Sequence, residues 1–289
     1  MANGETDNNS NGRLDLEQAL LRRPPPSSDI SWEREMVRGS FHTFGEYRLS
    51  ITNVTGKEET VLISEDTKMI ATRVWDCATL TTKWIEHQAT RSKSGVPDLH
   101  AALQLKVKDP SSGNNRPIQI LELGAGTGLL SVCLAKMGAA VLATEYGPVV
   151  KYLESNCQKN GVLPDDNGDA AAASTTMVAG KARCCELDWY KATQTLESLF
   201  SPTEEAMFDL IIVTDCSLTE RDARGVFDMI YKYSTKGHTK VIVGTCLERE
   251  GTPLTLQVAQ QFPNCRHIPS SDLHPHYTSR RHQILMFDT

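Results

Sequence analysis

Three acidic residues, Glu145, Asp188 and Asp215, each follow an apolar, β-prone run of this 289-residue chain. Each ends its run on a side chain that accepts hydrogen bonds from hydroxyl, amino or ammonium groups. Upstream, Ile118 to Leu123 runs into Gly124, Gly126 and Gly128, three glycines in five residues, and a Leu-rich helical pattern follows. Such a turn lets the backbone bend sharply, adopt φ > 0 and bring N–H groups against a ligand with no Cβ between them. Glu145 stands about 20 residues beyond the turn, the separation at which an acidic residue accepts ribose hydroxyls in nucleotide sites. Tyr146 beside it could pack on an adenine face. Asp188 could accept from the adenine amino group, with Trp189 as an aromatic wall, and Asp215 would lie beside the reacting group. Taken singly, each carboxylate serves as well in a solvated loop or helix cap. Their recurrence at successive strand ends favours one site.

The elements that must position these residues alternate in type. The pattern predicts a β-hairpin from Gly45 to Ile63, turning at Thr55 to Glu58. A helix follows, with Asp76 as N-cap and Leu80, Trp84 and Ile85 on its inner face. Residues 90–116 read as a helix extension and a loop. After the glycine turn come a helix ending near Gly138, a strand over Ala139 to Thr144, and a helix opened by Pro148 and stopped at Asn160-Gly161. A third strand ends at Cys184 to Trp189, with Asp188 closing it, and Phe208 to Asp215 is a fully buried strand. A helix over 220–233, a strand over Lys240 to Cys246, a helix over Leu254 to Phe262 and two weaker antiparallel strands complete the chain. This order gives an α/β, doubly wound sheet whose site lies beyond the strand C-termini. Three regions result: a disordered tail over 1–30, the hairpin and helical extension over 31–116, and the core over 117–289. Residues 165–176 are a small-residue insertion.

Hydrophobic content of 39% and charged content of 23% permit a sizeable core. A net charge of −6 argues against a surface that tracks nucleic-acid phosphates. No apolar run reaches the roughly 20 residues of a membrane span, and no export signal opens the chain. Eight cysteines occur with no C-x-x-C pair, so a reducing compartment is expected, cytoplasmic or nuclear. His274-Pro275-His276 has no ligand-spaced partner and reads as a surface loop, so no metal is expected.

The dinucleotide fingerprint is G-x-G-x-x-G, and here the third glycine comes one residue early. The stretch Glu122-Leu123-Gly124-Ala125-Gly126-Thr127-Gly128 resembles the first motif of the Rossmann-like S-adenosyl-L-methionine (SAM) methyltransferases. That resemblance implies a loop wrapped around the methionine part of the cofactor. With Val74-Trp75-Asp76, Glu145, the Asn156 to Asn160 helix end and Leu187-Asp188-Trp189, the chain from about Phe41 onward is similar to the seven-strand protein-lysine methyltransferases of family 16. The resemblance implies a seven-stranded sheet behind an N-terminal β-hairpin, with Trp75, Gly124, Gly126, Glu145 and Trp189 lining the cofactor pocket. It also implies a protein lysine as acceptor, with a chaperone or translation factor as substrate; the chain itself is expected to be a monomer. Asp215 would orient the lysine amine or receive its proton. The family carries Asp-x-x-Tyr at this point, and this chain reads Asp215-Cys216-Ser217-Leu218. Two other readings stay open: a methyltransferase of another acceptor, and a SAM-binding interaction module without activity.

Overall fold

The computed structural model describes residues 34–36, 45–53, 56–66, 68–90, 106–108, 115–164, 177–191, 196 and 208–289. The N-terminal tail over 1–30 and the insertion over 165–176 lie outside them. In chain order the strands are β1 (Arg34–Met36), β2 (Gly45–Thr52), β3 (Glu58–Glu65), β4 (Lys106–Lys108), β5 (Asn115–Pro117), β6 (Gln119–Leu123), β7 (Ala140–Glu145), β8 (Lys181–Glu186), β9 (Leu210–Thr214), β10 (Lys240–Cys246), β11 (Arg266–His267) and β12 (His282–Asp288). The helices are α1 (Asp76–Thr90), α2 (Leu129–Lys136), α3 (Gly147–Lys159), α4 (Glu220–Tyr233) and α5 (Thr252–Ala259).

Seven strands form the main sheet in the order β11-β12-β10-β9-β6-β7-β8. Strands β6 to β10 are parallel, and β12 runs antiparallel between β10 and β11. The expected terminal antiparallel pair is therefore present, with β12 inserted beside β10. Chain order reverses on either side of β6, and there a crevice opens beyond the strand C-termini.

Alternation along the strands sorts the core into two faces. Ile120, Ile212, Ile242 and Ile284 share one apolar cluster with the hairpin and residues of α1, α2 and α3. Leu121, Ile211, Val213, Val241 and Val243 share the other with residues of α4 and α5. Both faces are covered, so β7, β9 and most of β10 are buried at every position. Burying each such aliphatic side chain contributes about 1.5–3 kcal/mol. On the α4 side Phe262 and Phe287 rings meet at 4.5 Å, with Phe227 6.0 Å from Phe262.

The hairpin is present as β2 and β3, paired from Gly45↔Glu65 to Thr52↔Glu58. Its turn is set by Gly56 at φ +80 and by Asn53, whose side-chain oxygen accepts from the Lys57 N–H at 3.0 Å. A third strand, β1, pairs with β2, and β4 pairs with β5 in a separate two-stranded ribbon. The sequence pattern showed neither, because each has only three residues. The N-cap expectation for Asp76 is corrected. The helix begins at Asp76, and the Trp75 carbonyl accepts from the Ala78 N–H at 3.1 Å, so Trp75 holds the cap position and Asp76 sits in the positive first turn.

Polar side chains on two helices help dock the hairpin onto the core. In α1 the buried Lys83 pairs with Glu86 at 2.7 Å, and both reach β2, at the Ser50 carbonyl and the Thr52 N–H. Asn156 in α3 and Asn160, which caps its C-terminus, are one turn apart and face β3. Asn156 accepts from the Ser64 N–H (2.8 Å) and donates to the Ser64 carbonyl (3.1 Å) and the Thr127 carbonyl (2.9 Å). Asn160 does the same at Leu62, at 3.0 and 2.8 Å.

Candidate functional site

Strand β6 delivers Leu123 into a turn that reaches α2 in five residues. Gly124, Gly126 and Gly128 all have positive φ, at +68, +55 and +84. Their missing side chains serve different ends. A Cβ on Gly124 would stand 2.5 Å from Cys216 Sγ and 3.2 Å from the Trp189 ring, and one on Gly126 would stand 2.9 Å from the Ala71 carbonyl oxygen. Both glycines face a cavity of about 340 Å³, within the roughly 300–1,000 Å³ of small-molecule clefts. Gly128 faces away. It caps α2 in the left-handed conformation, and its Cβ would meet Leu153 Cδ1 of α3 at 2.5 Å.

The cavity gathers Trp75, Gly124, Gly126, Glu145, Tyr146, Asp188, Trp189 and Asp215. Glu122, Ala125 and Gly128 are not in its wall, each for a physical reason. Glu122 points into the protein, is 1% exposed, and accepts from the Ser131 hydroxyl of α2. Burial pushes its carboxyl up to about 8, against the Ser131 hydrogen bond. Ala125 N–H donates to the Thr144 carbonyl at 2.9 Å and pins the turn to β7. Gly128 is a packing glycine. These three build the turn that the other residues use.

Glu145 ends β7 with its carboxylate across the mouth of the glycine turn. It accepts from the Gly126 N–H at 2.8 Å and the Tyr146 N–H at 3.0 Å. Burial raises its pKa, and these two backbone bonds oppose the rise. Each carboxylate oxygen still has a lone pair for a further donor. Tyr146 is 38% exposed at the rim. Asp188 accepts from the Tyr190 N–H at 3.0 Å, which with Lys191 at 3.1 Å holds its carboxyl below the ordinary range. Trp189 lies against Gly124, and its buried Nε1 has no partner among the described residues.

From β8 the segment Asp188 to Tyr190 crosses to the N-terminus of α4. Tyr190 donates its hydroxyl to Asp222, and the Arg221 guanidinium lies 4.1 Å over its ring. Burial and the Asp222 carboxylate push the Tyr190 phenol up to about 12. A Cβ on Gly225 would stand 3.2 Å from Trp189 Cβ, so the glycine lets the segment lie close across α4.

Asp215 follows β9 with φ +55, a conformation that L residues rarely adopt. Its N–H donates to the Gly244 carbonyl at 2.8 Å, and its side chain is buried. Both carboxylate oxygens accept from Arg249, from Nε at 3.2 Å and Nη2 at 3.0 Å. The same guanidinium lies 4.6 Å from the Trp75 ring centre, and Trp75 Nε1 donates to the Ile70 carbonyl at 3.0 Å. Leu218, at the position of the family's tyrosine, lines the cavity.

Sequence reasoning missed Arg249, Tyr190, Asp222 and Cys216. Arg249 lies 34 residues beyond Asp215 in a turn with no motif. One signal was available: the turn follows β10, so its first residues sit at the same sheet end as Asp215. Among the described residues no His, Cys, Asp or Glu cluster is placed to hold a metal. His274 and His276 lie in a loop before β12, where His274 packs edge-on against His87 at 5.4 Å and Tyr277 at 5.1 Å.

The sequence model of the lysine methyltransferase family matches residues 56–253. Protein N-lysine methyltransferase METTL21A of Mus musculus is 28% identical over 235 residues, 78% of this chain and 85% of that protein. Among solved structures, the T. thermophilus 16S rRNA N2 G1207 methyltransferase RsmC, in complex with AdoMet and guanosine, is 16% identical with a TM-score of 0.45. That match covers 87% of this chain and 52% of RsmC, so the chain spans about half of RsmC's length. The METTL16 methyltransferase domain is 10% identical with a TM-score of 0.45, covering 75% of this chain and 84% of that domain.

Proposed function

Because the chain belongs to the lysine methyltransferase family and is a SAM-dependent protein-lysine methyltransferase, we propose that its cavity holds SAM and receives the target lysine beside Asp215. The observation that carries this reading is the meeting of Glu145, Asp188 and Asp215 around a cleft floored by Gly124 and Gly126. The fit is chemical. Acidic groups in an aromatic cleft suit a ligand with a cationic sulfonium and an ammonium group. Glu145 would accept from the ribose hydroxyls, Asp188 from the adenine amino group, and the Trp189 indole would wall the base. Gly124 and Gly126 leave room for the amino-acid end.

When bound, SAM supplies a methyl carbon that leaves sulfur as the lysine nitrogen lone pair bonds to it, the C–S electron pair staying on sulfur. The chain's residues do the remaining work. Lysine must first lose a proton, and holding it neutral at pH 7 costs roughly 4–5 kcal/mol from a reference pKa near 10.4. Desolvation against Trp75 and Leu218 lowers that cost. Asp215 accepts a hydrogen bond from the amine and aims its lone pair.

We infer a chaperone or translation factor as acceptor from the family resemblance, and a monomer working in the cytoplasm or nucleus. All eight cysteines are free thiols, which suits a reducing compartment. The test is transfer of radiolabelled methyl from SAM into the proteins of a cell extract, followed by hydrolysis and amino-acid analysis. Label in methyl-lysine is expected. Label elsewhere, or none beside calorimetric binding of SAM, would leave another acceptor or a binding module.

A further inference from the structure

Arg249 belongs to no motif, yet it is fixed from three sides. It grips both oxygens of Asp215, at 3.2 and 3.0 Å, and lies on Trp75. Its turn is also locked to the loop that carries Asp215. A Cβ on Gly251 would stand 2.3 Å from the Thr219 carbonyl and 2.7 Å from the Ser217 carbonyl. Thr255 donates to the Ser217 hydroxyl at 2.7 Å. The loops after β9 and β10 thus pack as one unit, which keeps the base of the Arg249 side chain beside the carboxylate.

Resting on the reading that Asp215 receives the acceptor lysine, we propose that Arg249 is a positioning residue that offsets the charge of Asp215, so that the carboxylate orients the lysine amine without holding it protonated. A lone carboxylate in a water-poor cleft attracts ammonium and favours the charged, unreactive form. Each unit by which the amine's pKa rises leaves about tenfold less neutral amine at neutral pH. The fork of Arg249 removes that bias and still leaves one lone pair on each oxygen of Asp215 for an N–H.

Among the described residues, the other groups around the pair do not supply this charge. Burial raises the pKa of the Cys77, Cys216 and Cys246 thiols, so they stay neutral. Burial lowers that of His282 on β12, which is neutral near pH 7. Asp76 and Glu145 are acidic. Arg281 spends its guanidinium on Glu248, at 2.9 Å. Burial works against the Arg249 charge, but the hydrogen bonds and charge of Asp215 outweigh it and hold the guanidinium protonated.

The test compares wild type, Arg249→Gln and Arg249→Lys in two measurements. One is the rate of label uptake into the principal acceptor band of a cell extract, followed from neutral to alkaline pH. The other is binding of n-butylammonium, a lysine side-chain mimic, read by tryptophan fluorescence with S-adenosylhomocysteine present. Arg249→Gln should be about tenfold slower at neutral pH, recover as pH rises by about one unit, and bind butylammonium several-fold tighter. Arg249→Lys keeps the charge and should follow the wild-type pH profile. The proposal is overturned if Arg249→Gln slows equally at every pH, binds butylammonium no tighter, or loses SAM affinity by calorimetry, since each outcome marks a merely structural role. A shifted profile in Arg249→Lys also overturns it. The Asp215 reading fails separately, if Asp215→Asn methylates at the wild-type rate.

Discussion

At the scale of single residues, similar letters do unlike work. Gly124 and Gly128 both have positive φ, but one borders the cavity and the other borders Leu153. Gly128→Ala should therefore cost about 1–3 kcal/mol in urea unfolding. Gly124→Ala should in addition weaken SAM binding by calorimetry, because its Cβ intrudes on Trp189 and Cys216. Equal SAM affinity in the two variants would sink the distinction. Glu122 gives a pH prediction. Its carboxyl holds a proton up to about 8 in the folded chain and loses it near 4.3 when unfolded. Between those values the unfolded chain binds fewer protons, so stability falls as pH rises, by on the order of 5 kcal/mol in full. Glu122→Gln keeps the shape without the ionisable group. Its melting temperature should fall less between pH 5 and pH 8, about the limits of that window, and parallel curves for the two proteins would refute the account. The glycine turn, Glu145 and Asp188 were legible because motif spacing and strand-end position follow from chain order alone. Arg249 was not, because its pairing with Asp215 depends on how two distant turns pack.

At the scale of elements, the helices and core strands were legible nearly to the residue where amphipathic or buried runs are long, as in α4 and β10. The short strands β1, β4 and β5 were not, since three residues carry no readable period. The role of Asn156 and Asn160 was equally hidden. The sequence shows two polar residues near a helix end, and the structure shows two side-chain amides answering the backbone of β3. Asn156 also bonds the Thr127 carbonyl in the glycine turn. Asn156→Ala should accordingly cost about 2–4 kcal/mol, more than Asn160→Ala at about 1–2, since Asn156 is buried and water cannot replace the bonds it leaves, whereas Asn160 is only half-buried. It should also weaken SAM binding, whereas Asn160→Ala should not. Urea titrations and calorimetry on both variants decide it; equal losses would mean the turn does not depend on α3.

At the scale of the molecule, one sheet carries the site at its C-terminal end, and the hairpin docks beside it. A ligand held only by the folded chain adds stability by mass action, about 2.7 kcal/mol at a concentration one hundredfold above its Kd. For a chain of this size that is roughly a 5–10 °C rise in melting temperature. SAM and S-adenosylhomocysteine should both produce the rise and NAD should not; the same rise with NAD would contradict the reading of the glycine spacing. The amides of Asn156 and Asn160 have a consequence beyond docking. A hairpin at the border of a protein ordinarily exposes a row of unpaired peptide groups on which a foreign strand can add, the first step of aggregation. Here β1 covers part of one margin, and a helix's side chains occupy rungs of the other. Along β3 those rungs are closed to newcomers without another strand being spent on them.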